Sequence, residues 1–257
     1  MRKFFFLVLA AIIFLPMVIL SQDNQNELDD LDFDTEELQQ ESNSYFSVGA
    51  GYTYTYNLIN LDDLNSIGGR FGFGELKTPF FASGFEITTG AIIVKNLNVG
   101  FFSYSGSTSS TMKSDTSYGS FNYEIANKGF GVDYAFVPYK AFAILPGFQF
   151  GFGSSQIILS KTGQEEDWGN LGEKEIYYNH QMTKNFWNLE PRLSLQYAVT
   201  NFLMFRAIAS YAFSLDNPLV SSNWEYNNNA KINNVPGSIN HSGFKFQLGL
   251  FIGLMNF

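Results

Sequence analysis

From Tyr45 to the end of the chain, apolar side chains recur at nearly every second position. In residues 45–57, Phe46, Val48, Ala50, Tyr52, Tyr54 and Tyr56 alternate with Ser47, Gly49, Gly51, Thr53 and Thr55. Successive strand side chains point to opposite faces, so this segment has one apolar face and one small or polar face. Similar stripes begin at Phe85, Phe130, Phe142, Trp187, Leu203 and Phe244. The pattern predicts eight strands, at about 45–57, 83–94, 98–105, 118–136, 142–158, 184–198, 202–214 and 243–257.

The predicted connections alternate in length. Short turns fall at 95–98, 137–140 and 199–201, and long polar segments at 58–82, 105–117, 160–183 and 215–242. Short turns on one side and long loops on the other are the layout of a membrane barrel. In a soluble sandwich, the face opposite the apolar stripe would be solvated and richly charged. Here it is mostly Gly, Ser, Ala, Gln and Thr with isolated charges. An open sheet in lipid would leave unpaired edge groups, so the strands must close.

On these residues the chain resembles the small eight-stranded outer-membrane barrels, the group that includes the OmpA-type transmembrane domain and OmpX-like proteins. The resemblance covers residues 45–257. It implies an all-β, closed, antiparallel up-and-down transmembrane β-barrel, monomeric and lodged in the cell outer membrane. Its implied partners are outer-membrane lipid and lipopolysaccharide, the barrel-assembly machinery during insertion, and an extracellular loop partner. Phe257 resembles the C-terminal aromatic that this machinery recognises. It is out of phase with the stripe Phe244–Leu254 and in phase with Phe251 and Met255. Either a bulge near Gly253 resets the phase or the signal is atypical. Two further irregularities are visible. Residues 67–76 could form an extra strand, the route to a ten-stranded alternative. The fourth strand changes phase between Ile125 and Phe130, and Gly129 would suit a bulge there.

The N-terminal segment is an address label. Arg2 and Lys3 precede an apolar run from Phe4 to Leu20, which reads as a signal peptide over 1–21, with an uncleaved anchor as the alternative. Residues 22–44 hold nine acidic residues and no basic one, a disordered periplasmic linker or a docking tail for a basic partner. Residues 1–44 contain two of the 15 Lys and Arg and nine of the 24 Asp and Glu, so the remainder sits near neutrality. That leaves no basic footprint for nucleic acid. Aromatics are 18% and charged residues 15% of the chain, while mean hydropathy is only −0.06. This combination fits strands that are apolar on one face. With no cysteine, disulfides and cysteine-based zinc sites are excluded.

Candidate chemistry lies on the face opposite the stripes. Glu86, Asp133, Glu190, Arg192, Arg206 and Lys245 fall there, with Glu124 depending on the phase of the fourth strand. A charge on the lipid face near the midplane costs roughly 2–4 kcal/mol for Arg or Lys, so these residues are expected to face inward. An eight-stranded interior is just wide enough for its own side chains. A plug of salt bridges is therefore expected, with a gate or narrow conduction path as the rival. His180 and His241 are the chain's two histidines, both expected in exposed loops. Ser242 follows His241, but strand neighbours diverge, which breaks the geometry a lipid-modifying barrel hydrolase would need. Trp168, Tyr177, Tyr178, Trp224 and Tyr226 lie in the last two long loops, as a binding surface or an upper aromatic girdle. The resulting expectation is a non-catalytic membrane barrel with a structural or surface-interaction role, without metal or cofactor. A lipid-modifying barrel enzyme and a narrow channel or carrier for small solutes are the alternatives.

Overall fold

The structure, a computed structural model, describes residues 45–90, 94–115, 117–163, 178–216, 223–227 and 230–257. The predicted signal peptide and acidic linker, together with Trp168 and Tyr177, lie outside the described residues. The strands are β1 (Phe46–Ile59), β2 (Phe80–Gly90), β3 (Leu97–Lys113), β4 (Ser117–Tyr134), β5 (Phe136–Tyr139), β6 (Phe142–Gly163), β7 (Tyr178–Thr200), β8 (Leu203–Asp216), β9 (Glu225–Tyr226), β10 (Ala230–Lys231) and β11 (Gly243–Asn256). Eight of them close an antiparallel ring in the order β1, β2, β3, β4, β6, β7, β8, β11. β5 continues β4 after Ala135 and pairs with β6. β9 and β10 lie outside the ring, β9 against β7.

Closure has a definite stagger. Directly opposed residues run from Ser194 through Ile208, Gln247, Thr55, Ala82, Gly106, Ile125 and Ser155 to Lys184. One circuit therefore returns to β7 ten residues away from its start. The displacement is even, so the inner face remains the inner face all the way round. Stagger, strand number and tilt are coupled, and a barrel of this size has room inside for side chains only.

The outer wall shows where hydrocarbon ends. Ile87, Phe101, Phe130, Phe150 and Leu189 are side by side in one row, and Phe85, Ser103, Lys128, Phe152 and Trp187 form the next. The row above is Ser83, Ser105, Ala126, Ser154 and Asn185. The change from apolar to small and polar marks the upper rim of the membrane band on this side. β3, β4, β6 and β7 continue well past that rim. The Ser-rich stretch 105–117, predicted as a loop, is therefore mostly strand, and the strands at 160–163 and 178–183 also run into a predicted loop. Polarity there reflects a wall with water outside it.

The same raised wall explains the phase change of the fourth strand. β4 pairs without a break from Ser117 to Asp133, so Gly129 is not a bulge. Phe121, Tyr123 and Ile125 point inward, while Phe130, Val132 and Tyr134 point outward. Glu124 is outward and exposed, outside the lumen. The upper inner face is apolar because protein covers it. Between β1 and β2, helix α1 (Asp62–Arg70) takes the place of the possible extra strand at 67–76. Asp62 and Asp63 in its first turn and Arg70 in its last complement the helix dipole. Asn60 Oδ1 accepts from Asp62 N at 2.8 Å, satisfying one of the otherwise orphaned donors. Leu61, Leu64, Phe73 and Leu76 from this connection, with Trp224 and Ile239 from the segment before β11, pack on Phe121, Tyr123, Ile125, Ile157, Leu159 and Phe186. Gly68 fits because a Cβ there would lie 2.5 Å from the Phe121 ring.

The opposite end has its own floor of Tyr45, Ala135, Ala143, Leu145, Met204, Phe251, Met255 and Phe257. Pairing between β1 and β11 runs unbroken past Gly253, so no bulge resets the phase. Phe257 is buried at 6% exposure, its ring 5.0 Å from that of Tyr45. Its inward phase with Phe251 and Met255 closes the end of the barrel.

Candidate functional site

Between the upper lid and the lower floor lies a layer of buried charge. The structure places Glu86, Asp133, Glu190, Arg192, Arg206 and Lys245 on the inner face, each at most 5% exposed. Three carboxylates meet three cations, so the layer is neutral overall. It is built as two groups. In the first, Arg192 donates through Nε and Nη2 to both oxygens of Asp133, at 2.8 and 2.7 Å. Arg192 Nη2 also reaches Glu86 Oε1 at 3.2 Å, and Arg206 Nη1 donates to the same oxygen at 2.8 Å. In the second, Lys245 Nζ donates to Glu190 Oε2 at 2.7 Å and to the Tyr104 hydroxyl. Ser210 Oγ and Asn188 Nδ2 donate to Glu190 at 2.5 and 3.0 Å.

Strand parity brings these groups together. Glu190 and Arg192 are two apart on β7 and share a face. Pro191 lies between them and stays in register with Phe148 of β6, so it does not turn Arg192 outward. On the β8 side, the same register holds at Leu189–Phe213 and Arg192–Ser210. Buried charges need partners, because desolvation is otherwise uncompensated. Here Glu86 of β2 meets Arg192 of β7 and Arg206 of β8 across the lumen, while Asp133–Arg192 and Glu190–Lys245 each reach over one intervening strand.

A polar layer below continues this filling. With its amide oxygen towards the guanidinium, Gln196 accepts from Arg206 Nε and Nη2 at 2.9 and 2.6 Å and donates to the Tyr45 hydroxyl at 2.7 Å. Asn98 Nδ2 donates to that hydroxyl at 2.7 Å and to Ser47 Oγ at 3.2 Å. Arg206 also lies over the Phe251 ring, 4.4 Å from its centroid. Tyr104, Asn188, Gln196 and Asn98 are uncharged and were not singled out from sequence. Their parity, inward on their strands, is the signal that would have found them.

The histidines depart from expectation. His241 is buried at 1% exposure, with Tyr123 OH 2.7 Å from Nδ1 and Ser155 Oγ 3.0 Å from Nε2. Burial, with the cations Lys184 and Lys245 nearby, lowers its pKa to about 3. Ser242 turns away and accepts from Ser214 N at 3.0 Å. His180 is half-buried on β7, stacked on Tyr178 at 4.8 Å, with Nδ1 2.5 Å from the Tyr226 hydroxyl. Trp224, placed from sequence in an exposed loop, is 4% exposed within the lid. His241 and Trp224 are buried because residues 223–227 and 230–241 fold inward over the barrel mouth. Among the described residues, no cluster of three or more His, Asp or Glu side chains could hold a metal ion.

Comparison with known proteins yields distant structural likenesses. No family model matches the chain. No curated protein matches it either. Among solved structures, Ail, the attachment invasion locus protein of Yersinia pestis, in complex with the heparin analogue sucrose octasulfate, is 11% identical at a TM-score of 0.41, covering 82% of this chain and 99% of its own. A major outer membrane protein from Thermus thermophilus is 12% identical at a TM-score of 0.44, with the same coverages of 82% and 99%. The outer membrane protease OmpT from Escherichia coli is 10% identical at a TM-score of 0.26, covering 83% and 95%. The closed ring, its apolar outer belt and its charged, buried interior make this chain a membrane β-barrel on its own geometry.

Proposed function

We propose that the protein is an outer-membrane barrel with a closed lumen, acting in a structural or surface-contact role through its raised wall and lid. The observation that carries this is the threefold filling of the interior. An apolar lid, a neutral layer of paired charge and an apolar floor follow one another along the axis. Solute passage would require all three to move.

On this reading the long connections and the raised wall face the cell exterior among lipopolysaccharide, and both ends of the 45–257 barrel face the periplasm. The barrel functions as a monomer and reaches the membrane by way of a signal peptide and the barrel-assembly machinery. A hydrolase reading would rest on Ser155 and His241, the one Ser–His pair at hydrogen-bond distance among the described residues. Their third partner is the Tyr123 hydroxyl in place of a carboxylate, and rings of Phe186 and Trp224 cover the imidazole. That setting favours a packing role. The test is conductance in planar bilayers. The closed reading expects at most rare, small openings, and a stable porin-sized current would overturn it.

A further inference from the structure

One joint between the lid and the wall is a buried imidazole. Residues 223–227 and 230–241 cover the barrel mouth; His241 is the last of them, and its ring reaches three wall strands. Nδ1 meets Tyr123 of β4 and Nε2 meets Ser155 of β6, at 2.7 and 3.0 Å. The ring stacks on Phe186 of β7 at 4.2 Å, and Trp224, from the lid itself, lies 6.1 Å away. Ser155 is directly opposite Ile125 and Lys184, beside the row where the outer wall is already polar, so this joint sits above the membrane band. The other histidine, His180, meets Tyr226 where β9 of the lid pairs with β7.

We propose that His241 is an acid-sensitive pin, whose protonation releases residues 223–227 and 230–241 and uncovers the apolar inner wall of β4, β6 and β7. The hydrogen bonds alone do not make it sensitive, since both hydroxyl partners can accept from an imidazolium. The surroundings do. The charged groups acting on it are Lys184 of β7 and Lys245 of β11, both cations. Lys184 is paired with Asp216 of β8 at 3.3 Å, and Lys245 with Glu190 of β7 at 2.7 Å. From β4, β6 and the lid come Tyr123, Ser155 and Trp224, which are uncharged. A proton on the ring is thus buried among aromatic faces with cations as its charged neighbours, an unfavourable place for charge.

The direction follows from linkage. In the closed lid the imidazole pKa is held at about 3, while an exposed imidazole has the ordinary value of 6.5. The open form therefore binds the proton more readily. Closure is at full strength above about pH 6.5 and weakens as the pH falls from there towards 3. Between neutral pH and pH 5 the closed-to-open ratio falls roughly thirtyfold, one decade per unit below the exposed value.

The chain has no cysteine, so a pair can be introduced cleanly. Ser238→Cys on the lid and Ser109→Cys on the raised wall are both exposed sites for nitroxide labels. Electron–electron distance measurements on the full barrel in lipid nanodiscs should give one compact distribution at pH 7.5. A longer component should appear reversibly at pH 5. His241→Gln keeps hydrogen-bonding capacity without titrating there, and should give the same distribution at both pH values, whatever its baseline. His180→Gln should keep the wild-type response. Identical wild-type distributions at the two pH values would overturn the proposal. So would an acid component that persists in His241→Gln, or one that vanishes in His180→Gln. A heat-shift gel at both pH values separates lid release from barrel unfolding; loss of the folded band at pH 5 also counts against the pin.

Discussion

Arg192 of β7 grips Asp133 of β4 through two parallel hydrogen bonds, at 2.8 and 2.7 Å, over Gly147 of β6, which lies directly opposite both. The two residues are on strands separated in the ring by β6. A planar guanidinium matches a carboxylate in this way, and the fork fixes orientation as well as distance. Removing one partner from a buried pair typically costs about 3–5 kcal/mol, because the other charge is left without compensation. Asp133→Ala should therefore lower the urea midpoint of the folded barrel strongly. Glu124→Ala, at an exposed outward position on the same strand, is the control and should leave it nearly unchanged. Equal small shifts, read by tryptophan fluorescence in detergent, would mean that Asp133 is solvated.

Glu190 and Lys245 form the second group, at 2.7 Å, with Ser210 and Asn188 on the carboxylate. The pair lends itself to a double-mutant cycle. Glu190→Ala and Lys245→Met should each destabilise by about 3 kcal/mol or more, since each strands a buried charge. The double variant should be far less destabilised than the sum, because it leaves no uncompensated charge. Additive losses would show that the two side chains act independently.

Much of this layer is legible from strand parity alone. Tyr52 and Tyr54 mark the outer face of β1, and the same alternation puts Glu86 on the inner face of β2. What parity could not reveal is the identity of an apolar residue's neighbour. Phe121, Tyr123 and Ile125 form a stripe as apolar as Phe130, Val132 and Tyr134, yet the first faces a protein lid and the second faces outward. Period-two patterning reports that one face avoids water, not whether lipid or protein keeps water away. The same gap hides His241 and Trp224, whose burial depends on residues 223–227 and 230–241, where the regular structure is two two-residue strands. Ser-rich residues 105–113 were misread for a related reason, since strand above the membrane is wetted outside and carries no lipid-facing signature.

Gly68 tests whether the lid is a separable layer. A side chain there must displace the Phe121 ring, since even a Cβ would come within 2.5 Å of it. Gly68→Leu should loosen the packing of α1 on the wall while leaving the strand ladders below intact. Limited proteolysis should then cut within 60–79 much faster than in the wild type, with the heat-shifted band retained. Loss of that band would mean that lid and barrel fold as one unit.

Phe257 has two roles to separate. Its ring packs on Tyr45 at 5.0 Å, and its carbonyl accepts from Ala141 N at 2.7 Å, so it helps to close the floor. It is also the proposed assembly signal. Phe257→Ala removes a buried aromatic side chain and should cost about 3 kcal/mol, at the lower end for such truncations because the site lies at the barrel end. Tyr45→Ala disrupts the same contact and also removes the hydroxyl that accepts from Gln196 and Asn98, so it should lose at least as much in detergent, where folding is unaided. Reconstituted insertion by the assembly machinery should part the two variants. If Phe257 is read as a signal, Phe257→Ala inserts several-fold more slowly than Tyr45→Ala at matched stability. Equal insertion rates at matched stability would leave Phe257 with its packing role alone, since both variants have lost the Tyr45–Phe257 ring contact and only one has lost the residue the machinery would read.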